Sequence, residues 1–84
     1  MDPFTLAAIN PHKATMRRMV ADAMAREDAA RRIAAVAPDR LQSLLEEAQR
    51  RQAAHQELSS ARGWPTLATA GLDSVYEDVC AGRL

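Results

Sequence analysis

His12 and His55 are the only histidines in this 84-residue chain and Cys80 its only thiol, side chains with the chemistry to attack a substrate, shuttle a proton or hold a metal. No Cys-x-x-Cys, His-Glu-x-x-His or calcium-loop pattern surrounds them, so a structural metal site lacks its ligands. Cys80 and His55 would make a nucleophile and base only if the last segment folded back over the middle of the chain. The simpler reading is a small thiol beside Val79 and a histidine on a semi-polar interface. The acidic doublets Glu27-Asp28 and Glu46-Glu47 are adjacent in sequence, so they do not face each other across a site. The expectation is a protein with no catalytic residues, no cofactor and no metal.

The basic residues suggest different chemistry. Arg17-Arg18, Arg31-Arg32 and Arg50-Arg51 are three doublets, the first two spaced by 14 residues and so on one helical face. Most of these arginines, however, follow an acid by four positions: Asp22 before Arg26, Glu27 before Arg31, Asp28 before Arg32, Glu46 before Arg50 and Glu47 before Arg51. That order favours ion pairs within a helix, each worth about 0.2–0.5 kcal/mol. Lys13, Arg17, Arg18, Arg40 and Arg62 are the less committed cations, although Arg18 can still pair with Asp22. Overall, 11 basic residues balance 11 acidic ones, and the sequence pI is 6.7. A phosphate-tracking surface needs unpaired cations, so Lys13, Arg17 and Arg18, one set from each subunit of a dimer, are the only candidate nucleic-acid contacts.

These residues must be positioned by a single small domain. Only 15 of the 84 residues are Leu, Ile, Val or Phe, while alanine is the commonest residue. A core so poor in large side chains leaves a narrow margin of burial, which favours completion by a second copy or another protein. No apolar run approaches the ~20 residues needed to span a bilayer, and no secretory signal is present. One cysteine suits a reducing compartment, so a cytoplasmic protein is expected.

The residues 1–5, Met-Asp-Pro-Phe-Thr, resemble the scar of a directional cloning site, which places the native domain in 6–84, or starts it at Met16. Asn10-Pro11 reads as a helix start, and the stretch to Val36 lacks Gly and Pro, predicting a helix over 11–36. Met16, Met19, Val20, Ala23, Ala30 and Ala34 share one face, interrupted by Glu27. Pro38 ends that helix and opens a second over 38–62, with Leu41, Leu44, Leu45 and Ala48 on its apolar face and Gly63 as its stop. The short connection makes the two helices antiparallel neighbours. Ile33 and Val36 would then meet Leu41 and Leu44 near the turn, and Met16 and Met19 would lie beside His55 and Leu58 at the open end. That open end is soft, and an isolated hairpin of this kind would splay.

The remainder differs in character. Ser74 and Glu77 fit a capping box for a last helix over 74–81, with Leu72, Val75, Tyr76 and Val79 on one side. It is too short to stand alone and must dock on the hairpin, a second subunit or a partner. Trp64 and Tyr76 are of types enriched in binding hot spots; alternatively, Trp64 covers the hairpin's open end. Met16, Met19 and Met24 read as core, or else as an adaptable recognition surface.

The closing stretch Val75-Tyr76-Glu77-Asp78-Val79-Cys80-Ala81-Gly82-Arg83-Leu84 resembles the tails of small bacterial helical antitoxins. The helix from Gln49 to Ala61 is similar to the short antitoxins that block Fic-type AMP-transferases. Their Ser-x-x-x-Glu motif is absent, since Gly63 stands four residues after Ser59 and Trp64 four after Ser60. The resemblance implies a bacterial protein that acts by binding another protein.

The expected fold is therefore all-α, a long antiparallel hairpin plus a short C-terminal helix, closing as a three-helix bundle or a dimeric four-helix bundle. The expected function is a non-enzymatic protein-binding module of antitoxin, anti-factor or adaptor type, contacting its partner through Trp64, Leu72, Val75, Tyr76 and Val79. A homodimer is expected beside or in place of a foreign partner. The alternatives are a small dimeric helical nucleic-acid-binding regulator and a structural oligomerisation domain of a larger protein.

Overall fold

A computed structural model describes the backbone of residues 3–84 and the side chains of residues 13–84. The described residues are all-α: α1 covers Pro3–Val36, α2 Leu41–Arg62 and α3 Ala70–Cys80. A single 3-10 turn, Pro38–Arg40, joins α1 to α2. His12 lies outside the described side chains, and the expected cloning remnant lies partly outside the described residues.

Each helix boundary has a local cause. Ala37 leaves the helical region at φ −148° and ψ 63°, as the residue ahead of a proline must, and Pro38 then opens the tight turn. Gly63 ends α2 with φ 71°. Its N–H donates to the Ser60 carbonyl at 3.3 Å and the next, on Trp64, to Ser59 at 2.9 Å, so the last carbonyls are satisfied in a left-handed cap. Gly82, φ 78°, closes α3 the same way, with the Arg83 N–H on the Asp78 carbonyl at 2.8 Å.

Two starts differ from the sequence expectation. Helix α1 begins at Pro3 rather than Pro11, because Pro3 itself suits a first turn and nothing between it and Asn10 breaks a helix; at Pro11 the backbone forgoes one hydrogen bond. Helix α3 begins at Ala70 rather than Ser74. Thr69 precedes it, donating through Oγ1 to Asp73 at 2.8 Å, and the acid of the first turn suits the helix dipole. Ser74 is thereby released from capping.

Helix α3 packs against both α1 and α2, which touch each other less than either touches α3. Ile33 and Ala37 from the first arm, Leu44 and Ala48 from α2 and Val75 from α3 form the buried cluster. Ile33 and Val75 are completely buried, each contributing about 1.5–3 kcal/mol of burial. Leu41, Leu72, Tyr76, Val79 and Leu84 pack around them.

The open end does not close as the hairpin spacing suggests. Met16, Met19 and Leu58 are all exposed, because α3 and its leading loop hold the two long helices apart. With extents of 56 × 29 × 17 Å, the molecule is as long as α1, about 51 Å at 1.5 Å per residue. The N-terminal part of α1 projects from the bundle as an arm, and of residues 13–28 only Asp22 is even partly buried.

Candidate protein-binding surface

The C-terminal face expected to bind a partner divides into core and surface. Val75 is fully buried and cannot offer its side chain outward. Leu72, Tyr76 and Val79 are half-buried against the same cluster. Their common side faces inward because the hairpin supplies only Ile33, Leu44 and two alanines at its centre, and α3 completes that core within one chain. The Cys80 thiol beside Tyr76 pushes the phenol's pKa up, while Cys80 itself is exposed.

Trp64 behaves differently. It is 59% exposed and Leu67 is 62% exposed, both on the loop that joins α2 to α3. The loop is nevertheless fastened at both ends. The Gly63 cap fixes its start, and the Arg62 guanidinium lies 5.0 Å above the centre of the indole. At the far end, the Gln52 side chain donates through Nε2 to the Leu67 carbonyl at 2.9 Å and accepts through Oε1 from the Gly71 N–H at 2.8 Å. One amide therefore ties down the loop and caps the first turn of α3 from a neighbouring helix.

Gly71 makes this junction possible. A Cβ there would run into the Ala48 carbonyl oxygen and stand 2.8 Å from the Gln52 nitrogen, so α3 meets the backbone of α2 directly. Beside it lies an open groove of 330 Å³ between α1 and α2, walled by Ala30, Leu45, Ala48 and Leu72.

A charged clasp holds the rest of α3. Arg51 donates to Asp78 at 2.7 Å, to Ser74 at 2.8 Å and to Glu47 at 3.0 Å. Arg50 also reaches Glu47 at 2.7 Å, and Arg83 reaches Asp78 at 2.8 Å. Arg51, with help from Arg83, holds the Asp78 carboxyl below the usual carboxylate range. Arg50 and then Arg51 do the same for Glu47, and Asp78 and Glu47 together raise the Arg51 pKa. The pairing of Glu47 with Arg51 follows from their spacing in sequence, whereas the crossing to Asp78 depends on a tertiary approach.

One further set of ion pairs lies on the surface of α1. Arg31 binds Glu27 at 2.7 Å and Asp28 at 3.5 Å, so Asp28 pairs three rather than four residues on. Lys13, Arg17 and Arg18 are exposed on the arm, and the same helix carries Asp22, Glu27 and Asp28 a few turns later. Such alternation in sign does not make a continuous phosphate track.

Cys80 and His55 do not come together as a nucleophile and base among the described contacts. His55 Nε2 lies 3.5 Å from Ser59 Oγ, but Ser59 is buried on α2. His55 and Cys80 have different partners, and no group of three metal-ligating side chains comes together among the described residues. No described helix is long and apolar enough to cross a membrane.

The exposed apolar side chains form a second surface on the arm, where Met16, Met19, Val20 and Met24 are each more than half exposed. They fall on the face read from sequence as core. Both surfaces present aromatic or aliphatic area to the outside of the described chain. No family model matches the chain, and no curated protein or solved structure compared with it matches.

Proposed function

We propose that this chain is a non-enzymatic protein-binding module, an adaptor or an inhibitor of antitoxin or anti-factor type, that grips its partner with the loop carrying Trp64 and Leu67. The observation that carries this reading is a lone tryptophan held in the open. An exposed indole on a mobile strand would lose conformational freedom on binding, whereas here the cap at Gly63 and the Gln52 amide have already ordered the backbone. Trp is among the types that dominate binding energy, and the Arg62 guanidinium stacked on it adds a second such type at the same spot. A reducing, cytoplasmic setting belongs to the same proposal.

The test compares the proteins retained by the immobilised wild-type chain with those retained by Trp64→Ala and Leu67→Ala variants of equal helicity. A partner held by the wild type and released by both variants supports the reading. A partner held equally by all three places recognition elsewhere and overturns the assignment of the loop.

A further inference from the structure

The arm of α1 carries a second inference, independent of the loop. At about 100° per residue, Lys13, Met16, Met24 and Glu27 all lie within about 40° of Val20 around the helix. Ala29 and Ile33, which face the bundle, lie about 180° and 140° away on the same wheel. The exposed stripe therefore points away from the chain's own core, on a stretch of helix whose residues 13–21 are all exposed. An isolated helical arm of this length is marginal in water, so its order calls for a partner along that stripe.

The charges say which partner. Residues 13–18 carry Lys13, Arg17 and Arg18 with no acid, and residues 22–28 carry Asp22, Glu27 and Asp28 against Arg26, with Arg31 of the next turn sharing Glu27 and Asp28. The arm is thus basic at one end, acidic at the other and apolar between them, a pattern complementary to itself when reversed. We propose that α1 pairs with α1 of a second copy in antiparallel orientation, with the two-fold axis at Val20.

That register sets Val20 against Val20, Met16 against Met24, and Lys13 of one copy opposite Glu27 of the other. A parallel pair would stack Lys13 on Lys13 and Glu27 on Glu27, juxtaposing like charges. The methionines suit the seam, since their unbranched thioethers fill gaps that alanine leaves between helices. The dimer leaves the Trp64 loop on each copy available to a different protein.

Single-cysteine variants of the full chain on a Cys80→Ser background read the register. Under mild oxidation at low protein concentration, Val20→Cys should form a covalent dimer with itself. Lys13→Cys should not link to itself, but should link to Glu27→Cys when the two proteins are mixed. Light scattering supplies the second readout: Lys13→Glu and Glu27→Lys should each weaken the dimer about tenfold, and the doubly reversed chain should recover it. All substituted positions are exposed, and circular dichroism checks that helicity is retained. A chain that stays monomeric across the concentration range overturns the proposal. So does self-linking of Lys13→Cys without linking to Glu27→Cys, which would mean a parallel pair.

Discussion

Gly71 on α3 lies directly against the Ala48 carbonyl on α2, with no room between them for a side chain. This one approach sets how deeply α3 enters the angle of the two long helices. It thereby sets the position of the loop before it and the burial of Val75 behind it.

Gly71→Ala should be the most damaging of the small substitutions. A methyl group would press on backbone atoms that cannot rotate aside, at or above the upper end of the ~1–3 kcal/mol typical of overpacking. Gly63→Ala meets nothing within 4 Å and faces only the left-handed backbone, costing about 1–2 kcal/mol. Urea unfolding of the two variants should show the larger loss for Gly71→Ala; the reverse order would mean that α3 is not wedged at this point.

Gln52→Leu keeps the size of the side chain and removes both bonds of the clamp. Each such hydrogen bond is worth about 1 kcal/mol, so a modest loss of stability is expected. The more specific readout is amide exchange, in which Gly71 should lose protection while Leu44 and Ala48 in the centre of α2 keep theirs. Unchanged protection at Gly71 would show that the Gln52 amide does not hold the junction.

The clasp between α2 and α3 predicts a pH dependence. Arg51 and Arg83 hold Asp78 ionised below its ordinary range, and Arg50 and Arg51 do so for Glu47. Folded values below the unfolded ones add stability that is complete above the unfolded pKa, about 4, and is lost as pH falls through the lower folded values. The thermal midpoint should therefore decline below about pH 4. Asp78→Asn should lower the midpoint at neutral pH and flatten that decline. A decline as steep in the variant as in the wild type would remove Asp78 from the account.

On the arm, the three cations span under two turns and are followed by acids, too short a basic stretch for a phosphate track, which predicts no affinity for nucleic acid. A gel-shift assay with duplex DNA and RNA at low salt should show no complex. A complex abolished by replacing Lys13, Arg17 and Arg18 with alanine, and weakening steeply with salt, would make the arm a phosphate-binding surface instead.

The sequence shows these features unequally. The stops at Val36 and Gly63 are local events written in Pro38 and in a glycine with no side chain to hinder a left-handed turn, and the apolar face of Leu41, Leu44 and Ala48 follows from periodicity. The fate of Met16 and Met19 does not follow from their spacing. Their face is apolar whether the hairpin closes or is wedged open, and only the insertion of α3 decides between the two. Val75 and Trp64 are both expected as contacts from the sequence, yet one fills the core and the other is left on a loop. Gln52 carried no signal at all, being one polar residue on a helix where the apolar stripe fades. Its role depends on how far the chain beyond Gly63 turns back.

The central claim is that α3 is core and the loop before it is surface, so the two aromatic and apolar anchors must separate in one experiment. Thermal unfolding of Val75→Ala and Trp64→Ala measures this most directly. Val75→Ala should lose roughly 1–3 kcal/mol through its cavity, whereas Trp64→Ala should stay within about 1 kcal/mol of the wild type, the worth of an exposed cation–π contact. If Trp64→Ala melts the fold while Val75→Ala leaves it intact, the indole is core, α3 is the free element, and the division drawn here is reversed.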